Sequence, residues 1–197
     1  KKSKCVYLSE AGKEAARKLL TEYNIADKDL LEKFEFRNIR QSEKGQAADI
    51  EQICFPPNEA CSERNMIERI AAAPELFLVA IDKETGKIAG FLNGIATDEY
   101  YFRDEFFTDA SLHNPGGRNI MLLGLDVLPE YRRQGLGSEL VYQYLRRERE
   151  KGRREVFLTC LKSKVKMYQK MGFTDRGIAN STWGAEEWHE MSCTLAW

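Results

Sequence analysis

The segment from residue 119 to residue 151 constrains the fold more than any other part of this sequence. An apolar run, NIMLLGLDV, comes first and has the length of a buried strand. A turn with two arginines and two glycines follows it. The residues after the turn carry apolar side chains at helical spacing, at Leu136, Leu140, Val141, Tyr144 and Leu145, and the charged segment RRERE at 146–150 is predicted to be exposed. We therefore expect a strand, a glycine-rich turn and an amphipathic helix to follow one another here.

The remainder of the chain alternates between patterns typical of helices and of strands. Further helices are predicted over residues 9–33, about 60–72 and 162–171. Another helix is predicted to end before Pro56 and to carry Ala47, Ile50, Ile53 and Cys54 on one face. Strands are predicted at 34–41, 76–81, 87–96, 119–128, 155–161, around 173–181 and around 187–195. Residues 98–117 are predicted to form a long polar and aromatic loop. Helices that interrupt a mixed sheet in this order indicate an α/β or α+β sandwich.

Composition and charge argue against several functional classes. The 197 residues include 30 Lys and Arg against 31 Asp and Glu, so the chain lacks the basic excess of a general nucleic-acid-binding protein. Its longest apolar run is far shorter than the roughly twenty residues of a membrane span, and its first residues lack the apolar core of a secretory signal. Five scattered cysteines and two histidines argue against a disulfide scaffold or a metal site. We expect one large cytoplasmic domain with no membrane or nucleic-acid partner.

The turn between the predicted strand and helix has the properties of an anion site. Gly135 and Gly137 allow backbone N–H groups to approach a ligand closely, and these groups lie at the positive end of a helix dipole. Arg132 and Arg133 add positive charge, which suits a pyrophosphate. The pattern of a P-loop is absent, and the dinucleotide-binding fingerprint would require a glycine at the position of Leu140.

Two segments of the sequence resemble the GNAT superfamily of N-acetyltransferases. The string RRQGLG at 132–137 matches the Q/R-x-x-G-x-G/A signature with which that family binds the pyrophosphate of coenzyme A, and YQKMGF at 168–173 matches its Y-x-x-x-G-F segment. The resemblance extends from about residue 34 to the end of the chain. The segments FPPNEACSE, PELFLVA, SLHNPGG and HEMSCTL are most similar to the arylalkylamine (serotonin) N-acetyltransferase branch and its bacterial relatives.

The resemblance carries implications for fold and function. It implies a mixed, mostly antiparallel central sheet flanked by helices in residues 34–197, with residues 1–33 as an additional N-terminal helical segment. It also implies an acetyl-CoA-dependent enzyme that moves an acetyl group directly to a primary amine and uses no metal. The expected acceptor is a small molecule, and the expected state is a monomer or a homodimer. A protein lysine or N-terminal acetyltransferase, or a CoA-binding module without catalysis, are the alternatives.

The same resemblance assigns site residues. Tyr168 lies where the family places its general acid, near the coenzyme sulfur. Backbone groups of a strand and the amides of the glycine turn are implied to hold the coenzyme. The residues implied to contact acetyl-CoA are Leu125, Asp126, Val127, Arg132, Arg133, Gln134, Gly135, Leu136, Gly137 and Ser138.

The general base is the open point of this assignment. The serotonin enzyme carries two histidines on its fourth strand, and the matching positions in this sequence are Met121 and Leu123. A histidine relay is therefore excluded there, and His113, Asp98 or Glu99 acting through water are the candidates. The loop that contains these three residues interleaves acidic and aromatic side chains, which would suit an amine substrate.

Overall fold

The computed structural model describes residues 29–195, in which seven strands form one sheet in the order β1-β2-β3-β4-β5-β7-β6. The strands are β1 (Phe34–Asn38), β2 (Phe77–Asp82), β3 (Ile88–Thr97), β4 (Asn119–Val127), β5 (Glu155–Leu161), β6 (Thr174–Ile178) and β7 (Trp188–Thr194). All neighbouring strands pair antiparallel except β4 and β5. The expectation of a mixed, mostly antiparallel sheet flanked by helices is confirmed.

The helices outside residues 98–117 fall where the sequence pattern placed them. They are α1 (Lys44–Cys54), α2 (Glu63–Ala72), α3 (Glu105–Thr108), α4 (Leu136–Glu150) and α5 (Val165–Lys170). α2 begins at Ser62, whose hydroxyl accepts a hydrogen bond from the N–H of Asn65, as a helix cap does. Within residues 29–195, no helix is long and apolar enough to cross a membrane.

Apolar side chains form a core on each face of the sheet. On one face, Ala47 and Ile50 of α1 and Met66 of α2 pack against β2 and β3. On the other face, Leu140 and Tyr144 of α4 pack against the same two strands and against β4. The buried run of β4 lies between these two layers, as a strand covered on both faces must.

Three local predictions differ from the structure. Ile53 is 57% exposed and does not share the buried face of α1, because that face is completed by Glu51 instead. Glu148, predicted as part of an exposed helix end, is 2% exposed because it accepts hydrogen bonds from Lys151 and Arg153. The 98–117 loop contains α3. Residues 29–33 of the predicted helix 9–33 are helical, and the rest of that helix lies outside the described residues.

The sheet opens between β4 and β5. These parallel strands pair only at Asn119–Met121 with Glu155–Phe157, and their later residues are not in register. β4 also carries one extra residue, Leu123, where its pairing with β3 shifts between Asn93 and Gly94. A bulge of this kind bends a strand and redirects its side chains. The separated ends of β4 and β5 leave room for a ligand between them.

Candidate active site

A cavity of about 740 Å³ lies at this opening. Leu122–Leu125 and Val127 of β4 form one wall, and Leu158–Leu161 of β5 form another. The N-terminus of α4 and residues of α5 close the cavity on one side, and residues of α1 and α2 contribute on another. Every layer of the fold therefore supplies side chains to one concave site, as ligand sites in α/β proteins usually show.

The glycine turn forms the part of the cavity at the start of α4. Gly135 is the N-terminal cap of the helix and has a φ of +86°, a left-handed conformation that favours glycine. Gly135 has no side chain that could accept a hydrogen bond, so the N–H groups in the first turn of α4 receive no cap from this residue. A Cβ at Gly137 would lie 3.7 Å from Val127 Cγ2 and 3.9 Å from Leu125 Cδ2, next to two cavity residues. The fifteen-residue helix thus points its positive end at the cavity.

Basic side chains also line the cavity, and two of them belong to the glycine turn. Arg132, Arg133 and Lys164 line the cavity. The Nε of Arg132 donates a hydrogen bond of 2.8 Å to the carbonyl oxygen of Val127, which holds this side chain beside the end of β4. The site therefore combines helix N–H groups with three cationic side chains, an arrangement suited to a phosphate ester.

The structure brings together Tyr168 and most of the residues that the sequence assigned to the coenzyme. The exceptions are Asp126 and Gln134, which are not on the cavity wall. Asp126 is completely buried, and Gln134 is held by hydrogen bonds to Lys33 and to the carbonyl oxygen of Glu130. The predicted residues that do line the cavity are Leu125, Val127, Arg132, Arg133, Gly135, Leu136, Gly137, Ser138 and Tyr168.

Tyr168 of α5 lies on the cavity wall, and its ring packs edge-on against Phe173 at 5.7 Å between centroids. Burial raises the pKa of its hydroxyl well above the ordinary value, and the nearby Cys160 and Asp126 raise the pKa further. The phenol is therefore protonated at neutral pH, as a proton donor must be.

The three candidate bases of the sequence analysis are not among the residues that line the cavity. His113 is held in place by the N–H of Ala96, which donates to its Nδ1, and its Nε2 lies 3.1 Å from a Glu75 oxygen. Asp98 and Glu99 pair with arginines of their own loop region. These contacts explain the three residues as parts of the scaffold.

A buried polar cluster on the cavity was not anticipated. It comprises Glu51 of α1, Arg69 of α2, Asn93 of β3 and Asp126 of β4, each less than 5% exposed. Glu51 and Arg69 line the cavity directly. A sequence signal for it exists, because Asp126 interrupts an apolar strand and Glu51 lies one helical turn after Ala47 on the buried face. Only the fold shows that the two acidic residues meet.

The cysteines at the cavity are poor nucleophiles. Burial raises the pKa of the Cys54 and Cys61 thiols to about 11 and that of Cys160 to about 12. Thiolate is the reactive form, so these side chains remain thiols at neutral pH. This favours direct transfer over a cysteine-linked intermediate.

Aromatic rings form a further part of the cavity wall. Phe107 packs against Trp183 at 4.8 Å between ring centroids, and the Trp183 Nε1 donates to the carbonyl oxygen of Glu59. The Trp188 Nε1 donates in turn to the carbonyl oxygen of Trp183. The wall is therefore held rigidly by hydrogen bonds, and it presents flat apolar surfaces on the side of the cavity that also carries Phe55.

Comparisons with known proteins agree with this geometry. The sequence model of the acetyltransferase (GNAT) family matches residues 45–173. Serotonin N-acetyltransferase of Mesocricetus auratus is 34% identical over 113 residues, which is 57% of this chain and 53% of that protein. The chain thus matches about half the length of this curated relative.

Solved structures share the fold at lower identity. A GNAT-like decarboxylase, GphF, in complex with isobutyryl-CoA is 19% identical with a TM-score of 0.70, covering 82% of this chain and all of that one. The ribosomal-protein-S18-alanine N-acetyltransferase of Escherichia coli is 18% identical with a TM-score of 0.62, covering 83% of this chain and 95% of that one. At these identities the likeness is one of fold.

Proposed function

Because the chain belongs to the GNAT family of acetyltransferases, we propose that it transfers an acetyl group from acetyl-CoA to the primary amine of a small molecule. The observation that carries this proposal is the cavity itself. It joins an uncapped helix N-terminus and three basic side chains to a protonated tyrosine and an acidic, aromatic wall. The first half suits a pyrophosphate and the second suits an amine.

The residues at the glycine turn fit the coenzyme. Gly137 leaves space beside the first turn of α4 that a larger side chain would fill, so a phosphate could approach the helix N–H groups. In this proposal, the backbone from Gly135 to Ser138 holds the pyrophosphate, with Arg132 and Arg133 beside it. The gap between the separated strands would take the pantetheine arm. The proposed coenzyme contacts are Leu125, Asp126, Val127, Arg132, Arg133, Gln134, Gly135, Leu136, Gly137 and Ser138, with Asp126 and Gln134 contributing backbone groups.

The chemistry divides between the coenzyme and the chain. When bound, acetyl-CoA supplies a thioester whose acetyl carbon is open to attack by a neutral amine. Tyr168 then gives its proton to the departing sulfur, and its raised pKa ensures that it is still protonated at that step. Exclusion of water by the surrounding apolar side chains limits hydrolysis of the thioester.

The wall of the cavity opposite to the coenzyme would select the acceptor. Phe107, Trp183 and Trp188 offer apolar and aromatic surface, and Glu51 offers negative charge. An amine with an aromatic or alkyl body matches both features, since its cation can contact rings and its charge can approach a carboxylate. The similarity to serotonin N-acetyltransferase supports the same class of acceptor.

We place the enzyme in the cytoplasm, acting as a monomer or homodimer, with residues 1–33 as an extension of the catalytic domain. The described cysteines support a reducing compartment, because Cys54, Cys61, Cys160 and Cys193 are all free thiols.

An acceptor panel tests the proposed function. The protein is incubated with acetyl-CoA and with arylalkylamines, polyamines, lysine-containing peptides and peptides with a free N-terminus, and both CoA release and the mass of the product are measured. We expect a gain of one acetyl group on a small amine. If the peptides are acetylated in preference to the small amines, the acceptor is a protein and not a small molecule. If acetyl-CoA binds but no acetyl group is transferred to any acceptor, the proposal of an enzyme is overturned.

A further inference from the structure

Glu51 and Asp126 come together although seventy-five positions separate them in the chain. Both carboxyl groups approach the backbone of Gly124 on β4. An atom at the Cβ position of this glycine would lie 3.2 Å from Asp126 Oδ2 and 3.6 Å from Glu51 Oε2. The nearest neighbour of that position is Asn93 Nδ2 at 3.0 Å, so Gly124 leaves room for a crowded group of polar side chains that includes both carboxyl groups.

The hydrogen bonds of the pair are incomplete when both groups are ionised. The N–H of Cys61 donates to Glu51 Oε1 at 2.8 Å. Within the described residues, Glu51 Oε2 and both oxygens of Asp126 receive no hydrogen bond. A buried carboxylate without a donor is costly, and one proton held between the two groups supplies the missing donor.

The charges around the pair also favour one proton. Arg69, from α2, is the cation that faces both groups, and Cys54 and Cys61 add neutral thiols. Two carboxylates against one guanidinium leave one negative charge unbalanced. Burial and the charge of Glu51 raise the pKa of Asp126 well above its ordinary value. Burial also raises the pKa of Glu51, but the hydrogen bond from the N–H of Cys61 and the charge of Arg69 oppose that rise. Among the described residues, the N–H of Cys61 donates to Glu51 whereas no donor reaches Asp126, so the proton resides on Asp126 and Glu51 is the ionised member.

We propose that Glu51 is the general base that removes a proton from the acceptor ammonium, and that protonated Asp126 is a positioning residue that donates a hydrogen bond to it. Glu51 is one of the residues that line the cavity and Asp126 is not, so the ionised group is the one on the substrate's side. This assignment rests on the proposed function and names the base that Met121 and Leu123 cannot supply.

The reaction balances with these groups. The ammonium gives one proton to Glu51, and the freed electron pair of nitrogen forms the new bond to the acetyl carbon. The bond from that carbon to sulfur breaks, and sulfur keeps its electron pair and takes a proton from Tyr168. The second proton of the nitrogen and the proton held by Glu51 pass to solvent, and solvent restores the proton of Tyr168. Glu51 and Tyr168 both line the same cavity, so base and acid border one space.

Glu51→Gln tests the base. Glutamine keeps an oxygen for the N–H of Cys61 and removes only the ionisable group. We expect kcat to fall by roughly 10²- to 10⁴-fold and its decline at acidic pH to disappear, with acetyl-CoA affinity unchanged in a calorimetric titration. The matched control is Glu68→Gln, which neutralises an exposed carboxylate on α2 and should leave the pH profile intact. An acidic limb retained in Glu51→Gln would overturn the assignment.

Two substitutions test the role of Asp126. Asp126→Leu removes the donor to Glu51, so the acidic limb of kcat should move to higher pH, whereas Asp126→Asn keeps an amide donor and should restore the limb toward the wild-type position. Identical profiles in both variants and the wild type would reduce Asp126 to a packing role.

A spectroscopic measurement separates this inference from the proposed function. In the protein alone, infrared difference spectra at neutral pH should contain the carbonyl stretch of a protonated carboxyl group, and both Asp126 variants should lack it. This reading needs neither acetyl-CoA nor an amine. If this band is present but the protein acetylates no amine, the proposed function is refuted and the inference of a shared proton stands. If the band is absent, the inference that the two carboxyl groups share a proton is refuted.

Discussion

Replacing Tyr168 with phenylalanine removes a single hydroxyl from the cavity wall. The ring and its edge-on contact with Phe173 at 5.7 Å remain, so the packing of α5 against β6 and β7 should persist. Any loss of rate in a folded variant therefore reports on the hydroxyl. The corresponding change at Tyr101, which is 59% exposed and not on the cavity wall, is the control.

The size of the effect follows from the pKa of the phenol. An alkyl thiol has an ordinary pKa of about 8.5 and tyrosine one of about 10, and burial raises the pKa of Tyr168 further. Proton transfer to the thiolate is therefore uphill by more than about 2 kcal/mol. General acids typically raise the rate by about 10²- to 10⁴-fold, and an acid whose proton transfer is unfavourable contributes at the lower end of that range. We therefore expect kcat of the variant to fall about 10²-fold, which corresponds to about 2.7 kcal/mol in activation free energy.

The assay measures kcat across pH with saturating amine. Because a general acid acts only while protonated, the wild-type rate should hold through neutral pH and fall as pH rises through the raised pKa of Tyr168, above about 10. The phenylalanine variant should lack this alkaline fall, and its acetyl-CoA affinity should match the wild type. A variant with the wild-type kcat at every pH would show that Tyr168 only packs against the coenzyme.

Three further predictions follow from the same geometry. Gly137→Val should weaken acetyl-CoA binding at least tenfold, about 1.4 kcal/mol in a calorimetric titration, because its side chain would fill the space beside the helix N–H groups; undiminished affinity would remove the turn from the site. Phe107→Leu should raise the KM of an aromatic amine while the affinity for acetyl-CoA stays constant, whereas the control Tyr101→Leu, at an exposed position, should change neither quantity. If Phe107→Leu weakens the binding of both ligands equally, Phe107 is a scaffold residue. Gly90→Ala should lower the free energy of unfolding by about 1–3 kcal/mol in denaturant titrations, because the new Cβ would lie 2.5 Å from the carbonyl oxygen of Asp126. The control Gly45→Ala, with open space around it, should not destabilise the fold, and equal stabilities of the two variants would contradict the close approach at Gly90.

The strand, turn and helix from residue 119 to residue 151 could be predicted because each is encoded locally. The spacing of the apolar residues distinguishes a strand from a helix. The glycines allow a left-handed backbone conformation that other residues rarely adopt, as the φ of +86° at Gly135 illustrates. The prediction for Ile53 was wrong for the same local reason. Periodicity permits several neighbouring residues to complete a helix face, and it cannot tell that the buried position belongs to Glu51.

The candidate site was only half visible in the sequence. The proposed coenzyme side could be recognised in the sequence, because the glycine turn and Tyr168 belong to short segments with recognisable spacing. The proposed acceptor side could not, because Glu51, Phe107 and Trp183 come from three distant segments whose sequences contain no mutual signal. His113, Asp98 and Glu99 were reasonable candidates by residue type, but their hydrogen bonds and ion pairs tie them to the scaffold.

The sequence by itself determined the order of helices and strands and the place of the glycine turn, since both depend on interactions between residues a few positions apart. The tertiary structure alone decided that β4 and β5 separate after three paired residues, that a cavity opens there, and that the Glu51 and Asp126 carboxyl groups share one buried space. These features depend on how distant surfaces pack. The same two carboxyl groups would be ordinary acids in water, and they acquire raised pKa values only because the fold buries them together.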